Sequence, residues 1–208
     1  MPRQGWIITV IAAMAVAFGW FCGPVVYALA TGPRLPAMVK PVLPDSELGR
    51  LMAAARKASR EEDHKQAVAL YTQALVLESG PNVIAQDLHE LRGNAYNVLG
   101  ENEKAFADFD AAIRIGYSEP LSDAAIRAYM GRGYAAVNLG RYRLAKDDFG
   151  IVLKAIPADV PRSSSTLAWR GAAHQGLGDR AHAVADYKAS LALHPDNGYA
   201  RQGLKDLE

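Results

Sequence analysis

The sequence predicts an all-α fold built from repeated pairs of short amphipathic helices. Residues 167–195 read as two such helices joined at Gly178. Two glycines, an alanine and an aromatic residue hold fixed places in this unit, and the same residue types recur upstream at matching intervals. The three sets are Gly93, Gly100, Ala105 and Phe109; Gly133, Gly140, Ala145 and Phe149; and Gly171, Gly178, Ala183 and Tyr187. A glycine inside a helix costs about 1 kcal/mol relative to alanine, so its recurrence indicates the close approach of a partner helix.

These units resemble tetratricopeptide repeats, which are helix–turn–helix modules with a period of about 34 residues. The resemblance rests on RGNAYNVLGENEKAFADFDAAI, RGYAAVNLGRYRLAKDDFGIVL and RGAAHQGLGDRAHAVADYKASL. A weaker copy lies upstream, where Ala55 replaces the first glycine and Glu62 replaces the turn glycine. The resemblance implies a right-handed superhelix over residues 45–197, with repeats at about 48–81, 86–119, 126–159 and 164–197.

The helix boundaries follow from the apolar periodicity and from capping residues. We expect helix pairs at 47–60 with 65–77, 84–99 with 102–115, 122–139 with 142–153, and 165–177 with 180–193. The connections at 116–121 and 158–164 are longer than the motif needs, so they are either ordered loops or extended helix ends. Residues 198–208 read as a short helix that caps the last repeat, because a terminal repeat needs a polar outer face.

An apolar segment precedes the repeats. Residues 6–30 contain no charged side chain, and as a helix they would span roughly 37 Å against a bilayer core of about 30 Å. The segment is interpreted either as an uncleaved signal anchor or as a secretory signal peptide cut after Ala30, where Ala28-Leu29-Ala30 has a small-x-small pattern and Pro24 would break the helix. A buried helix of a soluble domain is the third interpretation. The proline-rich residues 31–44 predict an extended spacer or an ordinary flexible linker.

The positive charges that flank residues 6–30 hardly distinguish between the two possible orientations of this segment in a membrane. Arg3 and the amino terminus flank one side, whereas Arg34 and Lys40 flank the other. The signal-like layout favours export of the C-terminal part. We therefore expect a bacterial-type inner-membrane location with the repeats in the periplasm, or a soluble periplasmic or secreted protein if the chain is cleaved after Ala30.

Composition and side-chain spacing argue against catalysis. The net charge is +1, so no basic excess indicates nucleic acid. Cys22 lies in an apolar run, which makes it a poor redox, metal or nucleophile candidate. The histidines form no i, i+4 pair, and His174 stands where Tyr96 stands in its own repeat, so it is interpreted as a packing residue. We expect no metal, no cofactor, no small-molecule substrate and no enzymatic activity.

An arginine and an aspartate recur in the three concordant repeats. The arginine precedes the first glycine and the aspartate precedes the aromatic residue of the second helix, whereas the first repeat has Ala54 and Leu70 at these positions. Because the two charges appear and vanish together, we predict an arginine–carboxylate pair between helices. The alternative is shared ancestry without contact. The residues concerned are Arg92, Arg132, Arg170, Asp108, Asp148 and Asp186.

The resemblance also implies a binding surface, because first helices in this family line a concave groove that takes an extended peptide or a helix. The positions that map to this groove are Met52, Arg56, Glu90, Asn94, Asn97, Arg127, Met130, Tyr134, Asn138, Trp169 and Gln175. Asparagine can bond a peptide backbone, and Tyr134 and Trp169 are either rigid anchors or packing residues.

Some relatives hold a C-terminal carboxylate with a lysine–asparagine clamp, but no lysine falls on the expected face here and Gly131 stands at a clamp position. The sequence thus favours a non-enzymatic protein–protein interaction module without chaperone-tail binding. The alternative is a structural or assembly factor of a cell-envelope complex that uses the superhelix as a scaffold.

Overall fold

The computed structural model describes residues 44–78, 80–116, 121–156 and 159–208. The predicted signal anchor or signal peptide at 1–30 lies outside the described residues, as does the predicted linker apart from Pro44. By internal contacts the chain divides into residues 1–40 and 41–208, and every described residue belongs to the second unit. None of the described helices has the length and hydropathy needed to cross a membrane.

The described part of the chain forms nine α-helices and contains no β-strand. In chain order they are α1 Glu47–Arg60, α2 His64–Leu77, α3 Val83–Val98, α4 Asn102–Ile115, α5 Asp123–Asn138, α6 Tyr142–Ala155, α7 Val160–Gly176, α8 Arg180–Leu193 and α9 Gly198–Lys205. The all-helical expectation is confirmed. Helices α1 to α8 form four successive helix–turn–helix pairs, and α9 follows the last of them.

Short polar side chains start most of these helices. The Ser46 hydroxyl accepts from Gly49 N at 3.0 Å before α1, and Asn82 Oδ1 accepts from two amides at the start of α3. At the turn inside each pair the backbone must adopt positive φ, which glycine adopts without a Cβ penalty. Gly100 has φ 73°, whereas Glu62 takes φ 62° at the same place in the first pair. The first turn therefore carries strain that the later turns avoid.

Helix α7 is longer at its start than the sequence suggests. It begins at Val160, not at residue 165. The Asp159 carboxylate accepts from Arg162 N at 3.0 Å, and Pro161 lies in the first turn, where its missing N–H leaves no helical bond unmade. The expected connection is thus an extension of the helix as far back as residue 160.

Each of the last three helix pairs is held by an aromatic ring of the second helix packed against a glycine of the first, whereas the first pair has Ala55 at the glycine position. A Cβ on Gly133 would lie 2.9 Å from the ring of Phe149, and one on Gly171 would lie 2.9 Å from the ring of Tyr187. Both rings are about 1 % exposed. A side chain at either glycine would force the ring or the helix to move, which explains why a residue with poor helix propensity stands there.

Two of these aromatic rings, Phe109 and Tyr187, also contact the helix that follows. A Cβ on Gly131 of α5 would lie 2.2 Å from Cζ of Phe109 in α4, and one on Gly203 of α9 would lie 2.3 Å from Cζ of Tyr187 in α8. An aromatic ring of this kind therefore fills the space between its own first helix and the first helix that follows.

From the second pair onward, the first helices approach one another directly. Helix α3 contacts α5, α5 contacts α7, and α7 contacts α9. Across the described residues, contact of that extent is absent between α2, α4, α6 and α8. The first helices thus lie on the inner side of the stack and the second helices on the outer side. Leu204 and Leu207 of the C-terminal segment pack on the core around Tyr187, so α9 closes the last pair.

Candidate functional site

The inner face begins with a buried carboxylate that joins two first helices. Glu90 of α3 is 1 % exposed. Arg127 of α5 donates from Nε to Glu90 Oε1 at 3.0 Å and from Nη2 to Oε2 at 3.1 Å. Asn94 Nδ2 donates to Oε1 at 2.6 Å. Three predicted groove residues therefore form one network, in which Glu90 is a structural link between α3 and α5 and not an exposed contact.

Charges of opposite sign continue this network across three helices. Burial raises the pKa of the Asp87 carboxyl, and the neighbouring Glu90 charge raises it further, while Arg56 and Arg127 act in the opposite direction. Arg56 of α1 is exposed and lies within electrostatic reach of Asp87. The inner face thus carries paired charge at α3 and α5 and an exposed cation at α1.

A cavity of about 340 Å³ opens between α1, α2 and α3. Its walls combine basic, polar and apolar side chains from all three helices. The lining residues are Arg56, Ser59, Arg60, His64, Tyr71, Leu91, Asn94, Ala95 and Val98. Arg56 and Arg60 stand four residues apart on α1, so both point to the same side of that helix. A carboxylate could bond these guanidiniums while an apolar side chain enters the cavity.

The predicted aromatic residues of the inner face pack on each other. Trp169 of α7 lies edge-on to Tyr134 of α5, with ring centroids 4.6 Å apart and an interplanar angle of 80°. Tyr199 of α9 also packs on Trp169, with ring centroids 4.2 Å apart and an interplanar angle of 33°. Tyr134 and Trp169 are half-buried, whereas Tyr199 is 43 % exposed. Sequence reasoning missed Tyr199 because α9 was expected to be a polar cap; an aromatic residue in its first turn was the available signal.

The remaining predicted groove residues support the helices around them. Asn97 Nδ2 donates to the Gly131 carbonyl at 3.2 Å, and Asn138 Nδ2 donates to Asn102 Oδ1 at 3.2 Å. Gln175 Oε1 accepts from a tyrosine hydroxyl of α8 at 2.8 Å. These amides join neighbouring helices and are therefore less available to a partner than the sequence suggests.

The two predicted methionines lie in hydrophobic clusters. Met52 packs against the core of the first pair, and Met130 packs against Ile126, Val152 and Ile156. Both side chains are half-buried. Methionine fills irregular gaps well, so a packing role accounts for both positions.

Gly131 has a steric reason to lack a side chain. Its Cβ would lie 2.2 Å from Phe109 Cζ, and the next two ring atoms are 2.5 and 2.6 Å away. The ring belongs to the buried core and cannot move aside without cost. A clamp side chain at position 131 is therefore incompatible with this packing.

The three recurring arginines each form a two-pronged ion pair with the aspartate of their own helix pair. Arg132 donates from Nε and Nη2 to Asp148 at 2.9 and 2.8 Å. The corresponding distances are 2.7 and 2.7 Å in the second helix pair and 2.8 and 2.6 Å in the fourth. These pairs are Arg92–Asp108, Arg132–Asp148 and Arg170–Asp186. The hydrogen bond to Asp108 raises the pKa of the Arg92 guanidinium, and Asp186 raises that of Arg170 in the same way.

Two of these arginines also reach back to the preceding pair. Arg92 Nη1 donates to Thr72 Oγ1 at 3.1 Å, and Arg132 Nη1 donates to Asp110 Oδ1 at 2.8 Å. The equivalent position for the last arginine is Gly150, which has no side chain to accept a bond. The arginines therefore join helices within a pair and, in the middle of the stack, between pairs.

Comparison with known proteins identifies this architecture. Residues 126–159 match the family model of the tetratricopeptide repeat. The Hsp70-Hsp90 organizing protein of Triticum aestivum is 36 % identical over 122 residues, which cover 59 % of this chain and 19 % of that protein. The chain thus spans about a fifth of the length of this curated relative.

Solved structures of low sequence identity share the fold. The Arabidopsis OM64 TPR domain superposes with a TM-score of 0.50 at 24 % identity and covers 60 % of this chain and 94 % of that one. A crystal structure of MamA superposes with a TM-score of 0.60 at 16 % identity and covers 74 % of this chain and 81 % of that one. The described helices therefore form a solenoid of the tetratricopeptide-repeat type.

The ion pair of the third helix pair gives a direct test of its energetic role. Arg132→Ala alone leaves Asp148 buried and unpaired, so the free energy of unfolding should fall by about 3–5 kcal/mol. Adding Asp148→Leu reproduces Ala54 and Leu70 of the first pair and should recover much of this loss. Chemical denaturation of both single variants and the double variant measures the coupling energy.

The matched control is an exposed pair that also joins two helices. Arg141 Nη2 lies 3.0 Å from Glu103 Oε2, with the two side chains 42 % and 66 % exposed. A cycle with alanine at these two positions should give about 0–1 kcal/mol. Coupling below about 0.5 kcal/mol for Arg132 and Asp148 would show that the buried pair contributes no more than an exposed one.

Proposed function

We propose that this chain is a non-enzymatic protein-interaction module whose inner face binds a peptide or helix of a partner protein. Tetratricopeptide repeats mediate protein–protein interactions, and the 340 Å³ cavity supports this role here. The cavity places Arg56, Arg60 and Asn94 beside an apolar floor. That combination recognises charge at one end and shape at the other, as peptide-binding sites do.

The charge of the cavity defines the partner segment. Glu90 and Asp87 of α3 already have Arg127 of α5 as a cationic neighbour, whereas Arg56 and Arg60 of α1 line the cavity. We expect an extended segment in which an acidic side chain meets these two arginines and an aliphatic side chain enters between Leu91 and Val98. An asparagine amide can in addition bond the backbone of an extended peptide.

The chaperone connection of the wheat relative does not extend to this proposal. The name of that protein links it to Hsp70 and Hsp90. Clamping a terminal carboxylate would require a side chain where Phe109 leaves room only for Gly131. We therefore assign the acidic group of the partner to the arginines of α1 and not to a lysine–asparagine clamp.

A structural or assembly role is the second candidate, and exposed apolar side chains favour it. Val76 is 79 % exposed, Leu77 44 % and Ile151 36 %, and all three lie on the outer helices α2 and α6. Tyr134 and Trp169 pack on each other. A scaffold that contacts other proteins through its outer surface would show this distribution.

We further propose that residues 6–30 attach the repeats to a bacterial-type inner membrane or direct their export. The uncharged length of this segment supports the proposal. The repeats would then lie in the periplasm, either tethered or released by cleavage after Ala30.

A reporter that is active only in an oxidising compartment tests this location. Fused after Glu208, it should be active, because we expect the repeats outside the cytoplasm. N-terminal sequencing of the purified protein then separates the two forms, since a mature start at Thr31 means that no anchor remains. Activity of a cytoplasm-specific reporter alone would reverse the proposed topology.

Two exposed valines test which surface binds a partner. Val98 lines the cavity and is 64 % exposed, whereas Val76 on the outer surface is 79 % exposed. A photoreactive amino acid at position 98 should crosslink to a specific protein, and Arg56→Glu with Arg60→Glu should abolish that crosslink by charge repulsion. Arg143→Glu with Lys154→Glu, an equal charge change at two exposed positions of outer helix α6, should leave it intact. Crosslinking from position 76 alone would support the scaffold role.

A further inference from the structure

The turn of the last helix pair brings together two imidazoles and a carboxylate. His174 lies near the end of α7, Asp179 caps the start of α8, and His182 lies in the first turn of α8. His182 Nδ1 is 2.7 Å from Asp179 Oδ2, and His174 Nδ1 is 3.3 Å from the same oxygen. One ligand atom from each residue falls within 4.8 Å of the others. Two neutral imidazoles and one carboxylate are the ligand types of zinc sites with three protein ligands.

Helix capping explains the position of Asp179 and His182 but not the buried His174 side chain. The Asp179–His182 contact is accounted for by helix capping, because Asp179 Oδ1 accepts from His182 N at 3.3 Å. The His174 side chain is 13 % exposed. Its Nδ1 atom is buried, and because its 3.3 Å contact with Asp179 lacks hydrogen-bond geometry, it has no hydrogen-bond partner among the described residues. A buried polar atom normally has a partner, so this nitrogen indicates a missing one.

The geometry suits a tetrahedral ion. Zinc–nitrogen and zinc–oxygen bonds of about 2.0–2.1 Å place neighbouring ligand atoms roughly 3.3 Å apart. The distance from His174 Nδ1 to Asp179 Oδ2 already has this value at 3.3 Å. The 2.7 Å contact of His182 would have to widen, and its side chain, 69 % exposed, has room to do so. The two rings are stacked, with centroids 5.0 Å apart and planes at 21°, so the exposed His182 ring would also rotate to direct its lone pair to the same ion as His174.

A second carboxylate stands behind His174. Asp186 Oδ2 lies 3.9 Å from His174 Nε2, and Asp186 is held by its two hydrogen bonds from Arg170. Metal-binding histidines usually direct their other ring nitrogen to a carboxylate, which fixes the tautomer. At 3.9 Å Asp186 is too far for a hydrogen bond, but its charge favours a proton on Nε2, which leaves the lone pair of Nδ1 for the ion.

The repeat fold does not itself require these residues. The positions equivalent to 174, 179 and 182 carry different side chains in the two preceding pairs. They are Tyr96, Glu101 and Lys104 in the second pair, and Ala136, Arg141 and Leu144 in the third. The trio is therefore a feature of the last pair alone among the three concordant repeats.

We propose that His174, Asp179 and His182 bind one Zn²⁺ ion, with the fourth position open to water or to a side chain of a partner. The ion would join α7 to α8 across the turn at Gly178. It would thereby stabilise the end of the stack on which Trp169 and Tyr199 lie. This site is independent of the peptide-binding role proposed for the inner face.

The test uses the full-length chain with an affinity tag that contains no histidine. Calorimetric titration with Zn²⁺ should show one site per chain, and Co²⁺ should give the visible absorption of a tetrahedral complex. Zn²⁺ should also raise the melting temperature, and EDTA should reverse this effect.

His174→Tyr, which copies Tyr96, and Asp179→Asn, which keeps a capping side chain, should each weaken zinc binding. The loss should exceed about 10–100-fold, which is the cost of losing an outer-shell partner. Binding should also weaken on acidification, because imidazole and carboxylate ligands must be deprotonated to bind the ion.

His194→Gln is the matched control, because it removes an exposed histidine at the end of α8 that lies outside the trio. Circular dichroism checks that each variant folds. If His174→Tyr or Asp179→Asn unfolds, His182→Gln replaces it, since His182 is exposed and the first pair has Gln66 at that place. Unchanged zinc affinity in the folded trio variants, or an equal loss in His194→Gln, would overturn the proposal.

Discussion

The contact between an aromatic ring and the bare backbone of a glycine is the constraint on which this structure depends. Phe149 packs on Gly133 and Tyr187 on Gly171, and each ring is buried. This contact brings the two helices of a pair close enough for an arginine beside the glycine to reach an aspartate beside the ring, which is how Arg132 meets Asp148. The same kind of contact between pairs excludes a side chain at position 131. The packing of Phe109 on Gly131 therefore leaves no room for the clamp side chain with which some relatives bind a terminal carboxylate.

Buried charges are compensated within the fold, whereas two arginines of α1 line the open cavity of the first two pairs. Glu90 has its two oxygens bonded by Arg127 and Asn94, so its charge is compensated within the stack. Leaving such a carboxylate unpaired would be costly. Arg56 and Arg60 instead line an open cavity with apolar walls. The two ends of the stack therefore have different chemistry, with arginines at one end and an aromatic stack beside a histidine–aspartate cluster at the other.

The sequence predicts the parts of this structure that repeat, because a repeated residue reveals its own spacing. The helix pairs, the turn glycines and the recurring pairing of an arginine with an aspartate, as in Arg132 and Asp148, can be predicted in this way. Contacts that occur only once in the structure cannot be predicted from a repeat. Periodicity places Trp169 on the inner face but cannot show that Tyr199 covers it. A search for histidine pairs on one helix misses His174 and His182, because these residues stand on opposite sides of a turn. The start of α7 at residue 160 depends on one cap, Asp159, that the repeat pattern does not contain.

The charge dependence of peptide binding is the most direct test of the binding site proposed at Arg56 and Arg60. Fluorescence anisotropy compares extended peptides that pair an acidic with an aliphatic residue against the same peptides with the acid replaced by its amide. Binding should require the acid, weaken as salt is added, and be lost in the Arg56→Glu, Arg60→Glu chain but not in the Arg143→Glu, Lys154→Glu chain. Equal binding of acidic and amide peptides, unaffected by either arginine substitution, would contradict a binding site at this cavity.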